Sequence, residues 1–100
     1  MPKKTEIDFP TASSLKERTA TKLRNELLPP ALEELKKRIF TAVEKGHFSV
    51  TFNARDLVDN DVPISRDATA FLKEEIDSLL KIGGYTWMES TADGRTYSWQ

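Results

Sequence analysis

Residues 65–99 read SRDATAFLKEEIDSLLKIGGYTWMESTADGRTYSW, and this stretch decides the fold. Ser65 is a favourable N-cap for a helix, and Gly83-Gly84 ends the helix that follows. Two segments rich in aromatic and β-branched residues come next, separated by the turn TADG at 91–94. Because an Asp-Gly pair supplies the positive φ of a hairpin connection, the stretch predicts a helix and a β-hairpin. The apolar face of this helix consists of Ala68, Phe71, Leu72, Ile76, Leu79 and Leu80.

Two further elements are predicted upstream of this stretch. Apolar residues recur at three- and four-residue spacings from Leu32 to Val43, which predicts a helix from Pro30 to Lys45 with Gly46 as its stop. The segment 48–52 alternates apolar and polar residues, which is the period of a half-buried strand.

The predicted elements form an α+β fold. A short helix over 54–58, capped by Asn53, connects the first strand to the helix that starts after Ser65. The order is helix, strand, helix, helix, β-hairpin, with a three-stranded antiparallel sheet packed on helices and an N-terminal arm before it. The side chains predicted to form the core are Leu35, Ile39, Phe48, Val50, Phe71, Leu72, Ile76 and Trp99.

The first 30 residues differ from the rest of the chain. Residues 1–10 have no apolar period and contain two prolines. Ser14 and Glu17 have the spacing of a capping box, so a helix is predicted over 15–28, ended by Pro29-Pro30. The apolar stripe of this helix is interrupted, so it is expected to bury little against its own domain.

The chain is therefore divided into an N-terminal arm, residues 1–30, and a compact domain, residues 31–100. A neighbouring subunit in an assembly is expected to hold the arm, because free termini are seldom ordered on their own. The side chains predicted to contact protein partners are Ile7, Phe9, Leu15, Leu23, Leu27 and Trp87.

The composition limits the classes of function. The chain has 100 residues, 31% of them charged, no cysteine and a net charge of −1. Disulfide frameworks and thiolate metal sites are thus excluded, and no apolar run reaches the roughly 18 residues that span a bilayer. The N-terminus lacks the apolar segment of a secretory signal. With a sequence pI of ≈ 5.8, binding to nucleic acid is not expected.

No stretch has the signature of catalysis or of a metal or cofactor site. His47 is the only histidine and has no accompanying nucleophile motif, which favours a partly exposed strand residue over a proton shuttle. Asp56, Asp59 and Asp61 resemble the start of a calcium loop, but Pro63 and the missing glutamate break that pattern. The sequence predicts a protein that is not an enzyme and needs no cofactor.

Aromatic residues alternate along both strands of the hairpin, at Tyr85, Trp87, Tyr97 and Trp99. They can form one cluster by cross-strand pairing. Such a cluster is either part of the core or, if exposed, a stacking platform or a contact patch for a partner. Tyr97 and Trp99 are expected to close the core and Trp87 to remain partly free.

The order of elements resembles that of a winged helix, with residues 65–81 as the recognition helix and 92–95 as the wing. The resemblance implies a regulator that binds nucleic acid or a protein. Because the helix offers four carboxylates against three basic side chains, phosphates would be repelled, and protein contact is favoured. These charged residues are Asp67, Glu74, Glu75 and Asp77, against Arg66, Lys73 and Lys81.

A second resemblance is carried by Ile39, Ala42, Gly46, Leu80, Gly84-Tyr85 and Ser98-Trp99. With these residues, the segment 31–100 resembles small virion-associated proteins of tailed bacteriophages. That resemblance implies a protein made in the host cytoplasm, incorporated in the virion in several copies, and acting as a non-enzymatic structural or accessory component. The alternative is a winged-helix-like regulator or a phage protein that binds a host protein or nucleic acid.

Overall fold

The structure is a computed structural model and describes residues 9–92 and 94–100. Within these residues, three α-helices and a three-stranded antiparallel sheet follow one another in the predicted order, which confirms the α+β fold class. The elements are α1 (Ala12–Glu26), α2 (Leu28–Glu44), β1 (Ser49–Phe52), a 3-10 helix (Ala54–Leu57), α3 (Arg66–Ile82), β2 (Thr86–Thr91) and β3 (Gly94–Ser98).

Helix α1 begins earlier than predicted. The side-chain oxygen of Thr11 accepts a hydrogen bond from the backbone N–H of Ser14 at 3.1 Å. A hydroxyl in this position satisfies one of the N–H groups that the first turn leaves free. The predicted cap at Ser14 was therefore wrong, because a threonine three residues earlier already performs that role.

A single residue, Leu27, separates α1 from α2. Its N–H still donates to the carbonyl of Leu23 at 2.9 Å. Pro29 and Pro30 lie in the first turn of α2, where the missing N–H of proline breaks no hydrogen bond. Leu28 is buried in the core. The predicted boundary after residue 30 thus falls inside α2, and the packed part of the chain starts at Leu27.

Strand β3 lies in the centre of the sheet, between β1 and β2. Ser98 of β3 stands opposite Ser49 of β1 on one side and Thr86 of β2 on the other. The first residues of β1 and β2 and the last residue of β3 therefore lie side by side at one end of the sheet. A register shift between Trp87 and Glu89 forms a bulge in β2.

The core lies between the helices and one face of the sheet. Helix α3 starts where predicted, with the Ser65 hydroxyl accepting from the N–H of Ala68 at 3.0 Å. On the sheet side, the rings of Phe52 and Tyr97 stack with their centres 5.6 Å apart. Burial of the predicted core residues Leu35, Val50, Leu72 and Ile76 is confirmed.

Four predicted core residues are not fully buried. Ile39 and Trp99 are partly buried and pack against the core, and Phe71 is half-buried beside α1. Phe48 is 57% exposed, so its prediction was wrong. Phe48 lies just before β1, which begins at Ser49. At this position the in-and-out alternation of strand side chains no longer places the ring beneath a helix. Leu79 of α3 is also exposed, because the buried stripe of that helix uses only every fourth residue.

Candidate protein-binding surfaces

Helix α1 is anchored to the domain near its C-terminal end. Arg24 donates from Nε to Glu75 Oε1 of α3 at 2.8 Å, and its guanidinium carbon lies 5.4 Å from the centre of the Phe71 ring. The hydrogen bond from Arg24 lowers the pKa of Glu75. None of the fifteen residues of α1 is buried. The helix is thus attached at one end and leaves most of its surface exposed.

An open groove separates α1 from the first half of α3 beside this anchor. Its volume is ≈ 680 Å³, and its two charged lining residues are Lys16 and Asp67. Apolar grooves between helices are common binding places for a peptide or a helix. We call this surface the α1 groove, and the side chains that form its apolar part are Ala12, Leu15, Ala20, Leu23, Ala68 and Phe71.

The predicted contact residues of the arm have different surroundings. Phe9 is 79% exposed. Leu15 and Leu23 line the α1 groove, the first exposed and the second half-buried. Leu27 is partly buried and packs against the core of its own domain, and its contact with a partner stays a prediction. Ile7 lies outside the described residues.

The hairpin aromatics form two separate contacts instead of one cluster. Tyr97 is buried against Phe52, whereas Tyr85 and Trp99 meet edge to face with their ring centres 6.0 Å apart. Trp87 stands opposite Tyr97 in the register but is 48% exposed, because it belongs to the edge strand β2. Tyr97 lies in the core and Trp87 is partly exposed, as expected. Trp99 was also expected to close the core but is only partly buried.

A second set of exposed apolar side chains lies in the last turns of α2 and α3 and at the starts of β1 and β2. The N–H of Tyr85 donates to the carbonyl of Leu80, and the N–H of Trp99 donates to the carbonyl of Phe48. The first bond ties the end of α3 to the start of β2, and the second ties the end of β3 to the start of β1. We call this set of residues the apolar end, and its members are Val43, Phe48, Leu79, Ile82 and Trp87.

The residues of the phage resemblance shape this same end of the fold. The N–H of His47 donates to the carbonyl of Ala42 at 2.9 Å, which closes α2. The Ser98 hydroxyl donates to the carbonyl of Phe48 at 3.1 Å, which joins β3 to the residue before β1. The motif residues therefore build turns and close the core. The sequence does give one signal of exposed apolar residues near this motif. Leu79 and Ile82 are both apolar although they lie in the last turn of a helix.

The outward charges of α3 are more balanced than the sequence indicated. Asp77 accepts a hydrogen bond from the Tyr97 hydroxyl at 2.6 Å, and its carboxylate lies 3.0 Å from Lys81 Nζ and 3.9 Å from Arg95 Nη1. Glu75 is paired with Arg24. Two of the four α3 carboxylates thus have basic partners. Helix α1 also lies beside the N-terminal half of α3, where a DNA-reading helix would need free access.

We expect Asp77 to make stability depend on acidity. The hydrogen bond from Tyr97, aided by Lys81 and Arg95, lowers the pKa of Asp77 from its ordinary value of 3.8. A lowered pKa contributes stability that is present above the ordinary value and is lost as pH falls through the folded-state value. Asp77→Asn should therefore cost about 1–2 kcal/mol near neutral pH and nothing in strong acid, as measured by urea unfolding.

The matched control for this prediction is Glu74→Gln. It removes a carboxylate from the same helix at an exposed position and should keep the acid-dependent loss of stability seen in the wild type. An equal loss for Asp77→Asn at neutral and at acid pH would contradict the role of the Asp77 carboxylate.

Among residues 9–92 and 94–100, no group of three or more potential ligands could hold a metal ion. None of the helices in the described part of the chain has the length and apolar character that crossing a bilayer requires. Comparison of the chain with family models, with curated proteins and with solved structures gives no match.

Proposed function

We propose that this chain is a non-enzymatic structural or accessory component of a bacteriophage particle, and that its N-terminal arm holds it there by protein–protein contacts. The proposal is supported by the exposure of α1. None of its fifteen residues is buried, and an apolar groove lies next to it. The sequence resemblance of residues 31–100 points to the virion as the place of assembly.

The chemistry of the α1 groove suits a protein partner. Leu15, Leu23 and Phe71 offer apolar surface, and burial of a large apolar side chain contributes roughly 1.5–3 kcal/mol. Lys16 and Asp67 at the groove carry opposite charges, which would orient a partner without favouring an anion such as nucleic acid. Phe9, exposed just before α1, adds a further apolar anchor on the same arm.

The test is the variant Leu15→Lys. We expect it to reduce the amount of the chain in purified phage particles at least tenfold, because a charged side chain would enter an interface that excludes water. Quantitative mass spectrometry of particles from cultures that produce either the variant or the wild-type chain gives this ratio. The thermal midpoint of the isolated protein should hardly change, since Leu15 is already exposed.

Thr21→Lys is the matched control. Thr21 is exposed on the opposite side of α1, so the same change in charge there should leave incorporation unaffected. Absence of the wild-type chain from purified particles would refute the proposed function. Equal incorporation of both variants would show that the α1 groove is not the surface in use.

A further inference from the structure

We propose that the outer edge of β1 and the neighbouring side of α2 bind an acidic peptide segment of a partner protein, which adds to the sheet as a further strand. The site is a groove of ≈ 380 Å³ that shares no lining residue with the α1 groove, so the inference stands independently of the proposed phage function. We call this surface the β1 groove, and its polar wall includes Lys37, Arg38, Thr41 and Lys45 of α2 and Ser49 and Thr51 of β1.

The outer side of β1 carries backbone groups that can pair with another strand. In the described part of the chain, β1 pairs with β3 alone, in a register that is unbroken over its four residues. The N–H of Trp99 donates to the carbonyl of Phe48 at 3.0 Å, so these two residues form a hydrogen-bonded pair. Because bonded and non-bonded pairs alternate in an antiparallel ladder, the N–H and C=O groups of Ser49 and Thr51 point away from β3. An extended peptide can add to such an edge through its main chain.

The edge of β1 suits an acidic segment better than the edge of β2. In β2 a bulge between Trp87 and Glu89 breaks the register, and Glu89 would repel a carboxylate. Beside β1, in contrast, Arg38, Thr41 and Lys45 recur at three- and four-residue spacings and form one stripe of α2 along the groove. A strand added to β1 would therefore lie against a basic helix face.

The charges of the β1 groove favour a partner with carboxylates. Its lining contains three basic side chains and a single carboxylate, that of Glu34, although the whole chain has a net charge of −1. Glu34 accepts a hydrogen bond from Arg38 Nε at 3.2 Å, so these two charges compensate each other. Lys37 and Lys45 are exposed and form no ion pair within the described residues. Both ammonium groups are thus available to the carboxylates of a partner.

The spacing of these two lysines matches an extended segment. Lys37 and Lys45 are eight residues apart, which is about 12 Å along a helix. Residues four apart in a strand are separated by about 13 Å and point to the same face of the sheet. A segment with carboxylates at alternate positions can therefore place two of them beside the two lysines while its backbone pairs with β1.

A peptide fits the β1 edge better than a nucleic acid does. The outward groups of Ser49 and Thr51 comprise both N–H donors and carbonyl acceptors. A peptide backbone satisfies both kinds of group, whereas phosphate oxygens only accept hydrogen bonds and would leave the carbonyls without a donor.

The experiment is a titration of the full chain with a synthetic peptide of about six residues, a usual strand length, in which glutamate and threonine alternate. Amide NMR spectra measure the binding and locate it in the chain. We expect saturable binding with a Kd below about 1 mM, and the signals that shift should belong to β1 and to the groove side of α2. No saturable binding in this range, or shifts confined to other elements, would overturn the inference.

Lys37→Glu should weaken the binding of this peptide at least fivefold, because repulsion replaces attraction at one end of the groove. Lys36→Glu is the matched control, since Lys36 is an exposed neighbour on the same helix that does not line the β1 groove. It changes the net charge equally and should bind the peptide like the wild type. Equal weakening by the two variants would contradict the site, because only the overall charge would then matter.

Two further ligands test the pairing of the backbones. The same peptide methylated on the backbone nitrogens of its threonines keeps its charge but loses donors to the β1 edge, so we expect it to bind at least tenfold more weakly. A single-stranded oligothymidine of equal charge should not displace the unmodified peptide. Equal binding of the methylated peptide, or displacement by the oligothymidine, would indicate a general anion surface and overturn strand addition. Because these assays use the isolated chain, their failure would leave the particle-incorporation test unaffected.

Discussion

Replacing Gly94 with alanine is expected to lower the free energy of unfolding by more than about 3 kcal/mol, which is a large part of the stability of a domain this small. Gly94 has φ of 129°, a conformation that side chains rarely adopt. A Cβ atom built there would lie 2.2 Å from the carbonyl oxygen of Phe52 and 2.9 Å from the N of Asn53. Both neighbours are backbone atoms, so the variant must separate the end of β1 from β3. Urea unfolding with circular dichroism measures the loss.

Gly46→Ala is the control for this variant. Gly46 also has a positive φ, 82°, but nothing lies within 4 Å of the added Cβ atom. Its cost should be limited to backbone strain, about 1 kcal/mol. Equal losses for the two variants would show that strain alone matters and that the contact with β1 does not.

Replacing Ile76 with alanine is expected to cost about 2–5 kcal/mol. Ile76 is 1% exposed in the middle of α3, and its removal would leave a cavity between that helix and the sheet. At roughly 4–8 °C per kcal/mol for a domain of this size, the thermal midpoint should fall by at least about 8 °C, as measured by calorimetry. Ile82→Ala changes the same residue type in the same helix at an exposed position and should stay within about 0.5 kcal/mol.

Much of the fold could be predicted because short-range signals agree with one another. Ser65 caps α3 as expected, and the alternation of Val50 and Phe52 correctly indicates the buried side of β1. Errors occur where two nearby residues compete for one role. Thr11 replaces Ser14 as a cap, and Pro29-Pro30 begins a helix where the pattern was interpreted as the end of one. Sequence spacing cannot rank such neighbours, since several residues near a helix end fit the same capping pattern.

The candidate surfaces were less predictable than the fold. The arm residues Leu15 and Leu23 could be singled out from one helix, because their spacing alone places them on one side. The apolar end is different, since its residues are far apart in the chain and only the pairing of β1 and β2 with β3 brings the starts of these two strands to the same end of the sheet. Side-chain exposure at an edge, as for Trp87, also depends on which strand lies in the centre of the sheet, and the sequence does not state that order.

The bulge in β2 has a consequence for behaviour at high concentration. Edge strands with a regular backbone can add further strands without limit and so start fibres. In β2 the residues Trp87, Met88 and Glu89 interrupt the ladder, and Glu89 adds a charge at the same point. A copy that approaches this edge cannot make an unbroken row of hydrogen bonds. Addition of further strands to the β2 edge is therefore disfavoured.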